Sequence, residues 1–180
     1  MDKQQSKNRV QLRELVKDDW PSVHRYASME IVSRYQPWGP NTKEETLLFL
    51  EAVQEDAKKK PRSRFVFAVF EKNTAVMIGS GEINIRDIVN REGEIGYIFH
   101  PDYWGQGYAT EVAHLLINFG FQELNLHRIY ATCDPRNSAS VKVLEKVGMV
   151  KEGCLRENLL NKDSWRDSFL YGILEHEWNA

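Results

Sequence analysis

The stretch from Gly93 to Glu111 restricts the fold more than any other part of the chain. Ile95, Tyr97 and Phe99 alternate as on a strand, and Pro101, with no N–H to give, ends the ladder. Gly105 and Gly107 stand just ahead of Ala109-Thr110-Glu111, after which Val112, Leu115, Leu116 and Phe119 fall at helical spacing. The unit reads as strand, glycine turn, helix. The first turn of a helix leaves unpaired N–H groups at the positive end of its macrodipole, where an anion is favoured. Glycines there let the backbone approach a bulky phosphate and adopt positive φ. A tight β-to-α connection without a ligand explains two glycines equally well. The dinucleotide fingerprint would need a third glycine where Thr110 stands, and a P-loop would need a Gly-Lys pair, which the sequence lacks.

Around this unit the pattern predicts a β-to-α start, with a strand from Val10 to Leu15 and a helix capped by Asp18 or Asp19 running through Tyr26. Residues Ile31 to Asn41, with Pro37, Gly39 and Pro40, read as a loop; its Tyr35 and Trp38 suit either a substrate pocket or packing on a neighbouring helix. Thr42 and Glu45 form a capping box for a helix whose stripe is Leu47, Leu50, Val53 and Ala57. Phe65–Phe70 and Ala75–Ile85 read as a hairpin, the second strand loosened by Gly79 and Gly81, and the charged segment Arg86 to Glu92 leads into the central unit. After a helix from Thr110 to Leu124 come a strand from Arg128 to Cys133, a helix capped by Asn137 and stopped by Gly148, and two strands, Val150 to Leu160 and Trp165 to Leu174.

Composition excludes several classes. With 180 residues, 42% hydrophobic and 28% charged, the chain is expected to be one globular domain over residues 10–180 behind a polar tail, residues 1–9. No apolar run approaches the ~18 residues of a membrane span, and the polar start lacks a secretory signal, so a cytoplasmic protein is expected. Cys133 and Cys154 fit that compartment as reduced, buried thiols. A net charge of −2 argues against a nucleic-acid face, and the run Lys58-Lys59-Lys60-Pro61-Arg62 reads as a helix end. The five scattered histidines and distant cysteines offer no metal-ligand spacing.

The turn Trp104-Gly105-Gln106-Gly107-Tyr108-Ala109 resembles the acyl-CoA loop of the GNAT superfamily of N-acetyltransferases, Arg or Gln, two residues, Gly, one residue, Gly or Ala, with Trp104 at the first position. Its fuller form, Tyr-Trp-Gly-Gln-Gly-Tyr-Ala-Thr-Glu, is similar to the branch of the ribosomal-protein alanine N-acetyltransferases. A second signature of that superfamily is similar to Asn137 through Met149, with Met149 in place of Phe, and a further similarity runs through Glu152–Asn158 and Trp165–Asp167.

The resemblance implies an α/β (α+β) fold: a mixed, mostly antiparallel sheet of about seven strands, splayed at an acyl-CoA crevice and flanked by about four helices. It implies acetyl-CoA as co-substrate, with no metal, held by Ile98, Phe99 and His100 on the strand, by Trp104, Gly105, Gln106, Gly107, Tyr108, Ala109 and Thr110 at the turn, and by Asn137 and Ser140. Many members protonate the departing thiolate with a Tyr where this chain has Leu144; Ser140 is the hydroxyl that the ribosomal-protein branch implies instead. An alkylamine titrates near ~10.4 and needs a proton acceptor more than an α-amine near ~7.7–8.0 does. Glu94 and Glu82 are the candidates, each of which a plain ion pair would also explain, and Glu157 is a weaker third. The function implied is direct acetyl transfer to a primary amine in a ternary complex, with a protein N-terminus, an antibiotic or a polyamine as acceptor and a homodimer left open. A non-catalytic acyl-CoA-binding module is the remaining alternative.

Overall fold

Residues 9–178 are described by the computed structural model, so all but Arg9 of the polar N-terminal tail lies outside it. Seven strands form one sheet: β1 (Val10–Glu14), β2 (Arg64–Glu71), β3 (Met77–Asp87), β4 (Glu92–Phe99), β5 (Arg128–Cys133), β6 (Val150–Asn161) and β7 (Ser164–Leu174). Their order is β1-β2-β3-β4-β5-β7-β6, antiparallel throughout except for the parallel pair β4 and β5. That pair requires a crossover, supplied by helix α4 (Tyr108–Gln122).

Five α-helices flank the sheet among the described residues, one more than expected. α1 (Trp20–Ala27), α2 (Glu30–Ser33) and α3 (Lys43–Lys58) bury Val23, Tyr26, Val32, Leu50 and Val53 on one face; α4 and α5 (Ser138–Lys146) bury Val112, Leu116, Ile117 and Leu144 on the other. The extra helix is α2, a single turn at the start of the segment read as a loop. No helix among the described residues is long and apolar enough to cross a membrane.

Local chemistry explains most boundaries. The Thr42 capping box closes as expected, with Glu45 N donating to Thr42 Oγ1 at 3.2 Å and Thr42 N to Glu45 Oε2 at 2.7 Å. Asp19 does not cap α1: its carboxylate instead accepts from Val16 N and the Arg13 guanidinium. The charged connection before β4 is shorter than expected because β3 pairs as far as Asp87 with Glu92. Gly79 and Gly81 do not loosen β3. A Cβ on Gly79 would stand 2.3 Å from Ile98 O, and one on Gly81 2.9 Å from Val112 Cγ1, so both permit close packing. Cys133 is buried, whereas Cys154, on the edge strand β6, is exposed.

Candidate active site

The helix after the glycine turn starts at Tyr108, two residues before the expected Thr110, with Gly107 as its N-cap. Gly105 and Gly107 both have positive φ, +74° and +87°, the region a side chain rarely tolerates. Among the described residues a Cβ at Gly105 would meet nothing within 4 Å, and at Gly107 only Arg9 Nη2 at 3.2 Å. The turn therefore presents bare backbone to open space at the positive end of α4, a cradle suited to a pyrophosphate.

Side chains brace this cradle from behind. Trp104 Nε1 donates to Phe99 O at 2.9 Å, and Gln106 Nε2 donates to Asp102 O at 2.7 Å. Tyr108 points inward and donates to Glu71 Oε1 at 2.6 Å, while Ala109 and Thr110 are half-buried in the first turn. Arg9, assigned by sequence to the tail, donates to Gln106 O at 2.9 Å and to Glu111 Oε1 at 2.6 Å, and covers the Tyr108 ring at 4.5 Å. Nothing in a lone Arg near the start of the chain marks that contact; it depends on β1 starting beside α4.

β4 and β5 pair only through Glu92 with Arg128, Gly93 with Ile129 and Glu94 with Tyr130, after which they diverge. His100 N donates to Ile78 O on the β3 side, so by strand alternation the main-chain groups of Tyr97 and Phe99, not those of Ile98 and His100, face the gap. Phe99 O is already taken by Trp104. A cavity of about 990 Å³ runs through the opening, lined by Tyr97, Ile98, Cys133, Asn137 and Ser140 toward α5 and by Tyr35, Trp38, Glu82, Glu94 and Arg166 toward the other face.

Toward α5, Ser140 Oγ lies 3.2 Å from Tyr97 Oη. Burial raises the Tyr97 phenol, which stays protonated, and pushes the neighbouring Cys133 thiol up to about 11. Asn137 caps α5 through Oδ1, accepting from Ser140 N at 3.1 Å, and keeps its Nδ2 for other partners. Leu144, where a Tyr would stand in the common pattern, is 1% exposed and packed in the core. Tyr97, which lines the cavity and contacts Ser140, is not among the site residues that the sequence singled out. Its position on the alternating face ahead of the turn was readable, but its pairing with α5 was not.

Toward the other face, the two candidate carboxylates are held by arginines. Arg64 Nε and Nη2 donate to Glu82 Oε2 at 3.1 and 3.0 Å, leaving Oε1 beside Gly96, where a Cβ would come within 3.7 Å of it. Arg86 Nε donates to Glu94 Oε2 at 2.8 Å, and Thr132 Oγ1 donates to Glu94 Oε1 at 3.5 Å. Glu157 is exposed at a bend of β6, with φ +47°, and does not line the cavity, so the structure separates it from the other two carboxylates. The bulge between Leu155 and Leu159 turns it away.

With this geometry in place, a family model described as Acetyltransferase (GNAT) domain matches residues 9–150. The uncharacterized N-acetyltransferase YnaD of Bacillus subtilis (strain 168) is 36% identical over 171 residues, covering 95% of this chain and 96% of that one. The spermidine N(1)-acetyltransferase of Escherichia coli (strain K12) is 28% identical, covering 97% of this chain and 91% of its own. The crystal structure of the ribosomal-protein-S5-alanine acetyltransferase from Vibrio fischeri is 28% identical and matches with a TM-score of 0.77, covering all of this chain and 98% of that one. The domain match over most of the chain, and a relative above 30% identity along nearly its full length, establish that this chain belongs to the GNAT acetyltransferases, which use acetyl-CoA, and is an N-acetyltransferase.

Proposed function

We propose that the chain acetylates a primary amine entering from the face of Tyr35 and Trp38, with acetyl-CoA held between β4 and β5. One observation carries this reading: strand pairing stops at Glu94 and Tyr130, and the gap so opened lies at the same end of β4 as the bare glycine turn. Acetyl-CoA supplies, when bound, an acetyl thioester and a thiolate leaving group. The N–H groups of residues 105–109 hold the pyrophosphate, since they sit where the helix dipole favours negative charge. The main chain of Tyr97 and the N–H of Phe99, rather than the main chain of Ile98 and His100, offer hydrogen bonds to the pantetheine amides, and Asn137 Nδ2 adds a donor.

Ser140 Oγ gives the proton to the departing sulfur. Tyr97, protonated because it is buried, donates to Ser140 Oγ and leaves the serine hydrogen free to point at that atom. Glu82 Oε1 takes the amine proton, directly or through water, because its other oxygen alone is bound to Arg64. Glu94, with both oxygens engaged, orients Arg86 and Thr132. Tyr35 and Trp38 form the wall of the acceptor pocket.

The test mixes purified protein with acetyl-CoA and a panel of amino acids, N-terminal peptides, polyamines and aminoglycosides, and follows thiol release. Release that depends on an added amine supports the reading. Release at the no-amine background with every acceptor, while acetyl-CoA still binds in calorimetry, favours a binding module instead.

A further inference from the structure

One cation of the cavity has no counter-charge among the described residues. Arg166 of β7 is 9% exposed, yet no carboxylate lies within ion-pairing distance of it among the described residues. Its Nη1 donates to Tyr35 O at 2.6 Å and its Nη2 to Ser168 Oγ at 3.0 Å, both neutral acceptors, and its Nε is sealed from solvent with no partner. Asp134 is near enough to bear on Arg166, but both of its oxygens are taken by Arg136, through Nε at 3.0 Å and Nη2 at 2.7 Å. The other cavity-lining cations are matched: Arg64 with Glu82 and Arg86 with Glu94.

Buried charge is costly unless paired, and guanidinium is the side chain best shaped to take a carboxylate with two parallel hydrogen bonds. Of its five N–H donors Arg166 spends two on the protein. It lines the cavity from β7, beyond β5, whereas Glu82 and Glu94 line it from β3 and β4, each already paired with an arginine. The pocket thus carries two neutral ion pairs on its β3–β4 side and an uncompensated cation on its β7 side.

We infer that the acceptor is a zwitterionic amine, an amino acid or a close analogue, whose carboxylate pairs with Arg166 while its amino group faces Glu82. This rests on the acetyl-transfer reading above and narrows it. A polycation such as spermidine can offer an amino group to Glu82, but brings a second positive charge to Arg166.

The test compares matched acceptors, each free amino acid against its carboxamide, with spermidine alongside, by thiol release with the parent and with Arg166→Gln and Arg166→Lys. The parent should favour the acid over the amide by about 10²-fold in kcat/KM, the size expected when a buried charge is left unpaired. Arg166→Gln should collapse that ratio toward one, and Arg166→Lys, which keeps charge but loses the fork, should fall between. Because the ratio is taken on one protein, a loop loosened at Tyr35 lowers both members and leaves it unchanged. Equal rates for acid and amide in the parent, a preference for spermidine, or a ratio that survives Arg166→Gln overturns the inference while leaving acetyl transfer standing. Thiol release that stays at the no-amine background with every acceptor defeats the broader reading and this one together.

Discussion

The glycine turn and the cavity are built from different materials. At the turn, and along the strand edge of Tyr97 and Phe99, the groups presented are main chain: two positive-φ glycines and the first turn of a helix. At the Tyr35 end they are side chains delivered by α3, β2, β3, β4 and β7, held in ion pairs and in the Arg166 clamp on Tyr35 O. Backbone recognition is set by the fold and changes only if the fold does. Side-chain recognition can be revised one substitution at a time. One scaffold can therefore keep its acyl donor while related chains carry names as different as spermidine and ribosomal-protein acetyltransferases.

The sharpest way to break this contrast is Gly107→Val. A β-branched residue at φ +87° is strained, its Cβ crowds Arg9 Nη2, and its methyls stand where the phosphates approach. Losing two hydrogen bonds to a charged group, roughly 1.5–3 kcal/mol each, weakens acetyl-CoA binding by about 10²- to 10⁴-fold in calorimetry. Unchanged affinity in a folded variant would mean that the backbone does not hold the donor.

Ser140→Ala should lower kcat by roughly 10²- to 10⁴-fold, nearer the lower figure because a thiolate leaves readily, with acetyl-CoA affinity nearly unchanged. Tyr97→Phe removes one hydrogen bond, about 1 kcal/mol, and should cost about fivefold. If the two losses were equal, the tyrosine rather than the serine would be the donor.

Glu82→Gln should cost about 10²-fold in kcat and Glu94→Gln distinctly less, because only Glu82 keeps an uncommitted oxygen. The Glu82→Gln deficit should shrink as pH rises toward the acceptor's own pKa, which a pH-rate profile would read. A deficit that stays constant with pH would assign Glu82 to binding.

The smallest effect concerns Asp134, buried where β5 leaves the sheet. Burial alone would raise its carboxyl, but the hydrogen bonds from Arg136 side chain and backbone outweigh this and hold it below the ordinary value. A depressed folded-state pKa contributes stability that is present above the unfolded value, near ~3.9, and is lost as pH falls through the folded one. Thermal melts should therefore be flat from pH 7 to 5 on this account and fall below about pH 4, more steeply in the parent than in Asp134→Asn.

The same division governs what the sequence disclosed. The glycine turn, the Asn137 cap and the Thr42 box are local, and each closes within a few residues, so periodicity and spacing sufficed to find them. Strand order and the gap between β4 and β5 came from resemblance, since no local pattern states where pairing stops. Tyr97 with Ser140, Arg9 with Gln106 and Arg166 with Tyr35 join residues 43, 97 and 131 positions apart, and a single sequence carries no trace of such partners. That Glu157 lies apart from Glu82 and Glu94, at a register shift of β6, was likewise not written in any local pattern.

Three residue pairs are all that join β1 through β4 to β5, β7 and β6 within the sheet. That short join is a seam, and a molecule lodged beyond it grips both leaves at once like a stitch. Binding at a hundredfold excess over Kd raises folding stability by about 2.7 kcal/mol. With acetyl-CoA placed there as proposed, the coenzyme is a fastener as well as a reagent, and its removal should leave a protein that opens, and is cut, more readily along that seam.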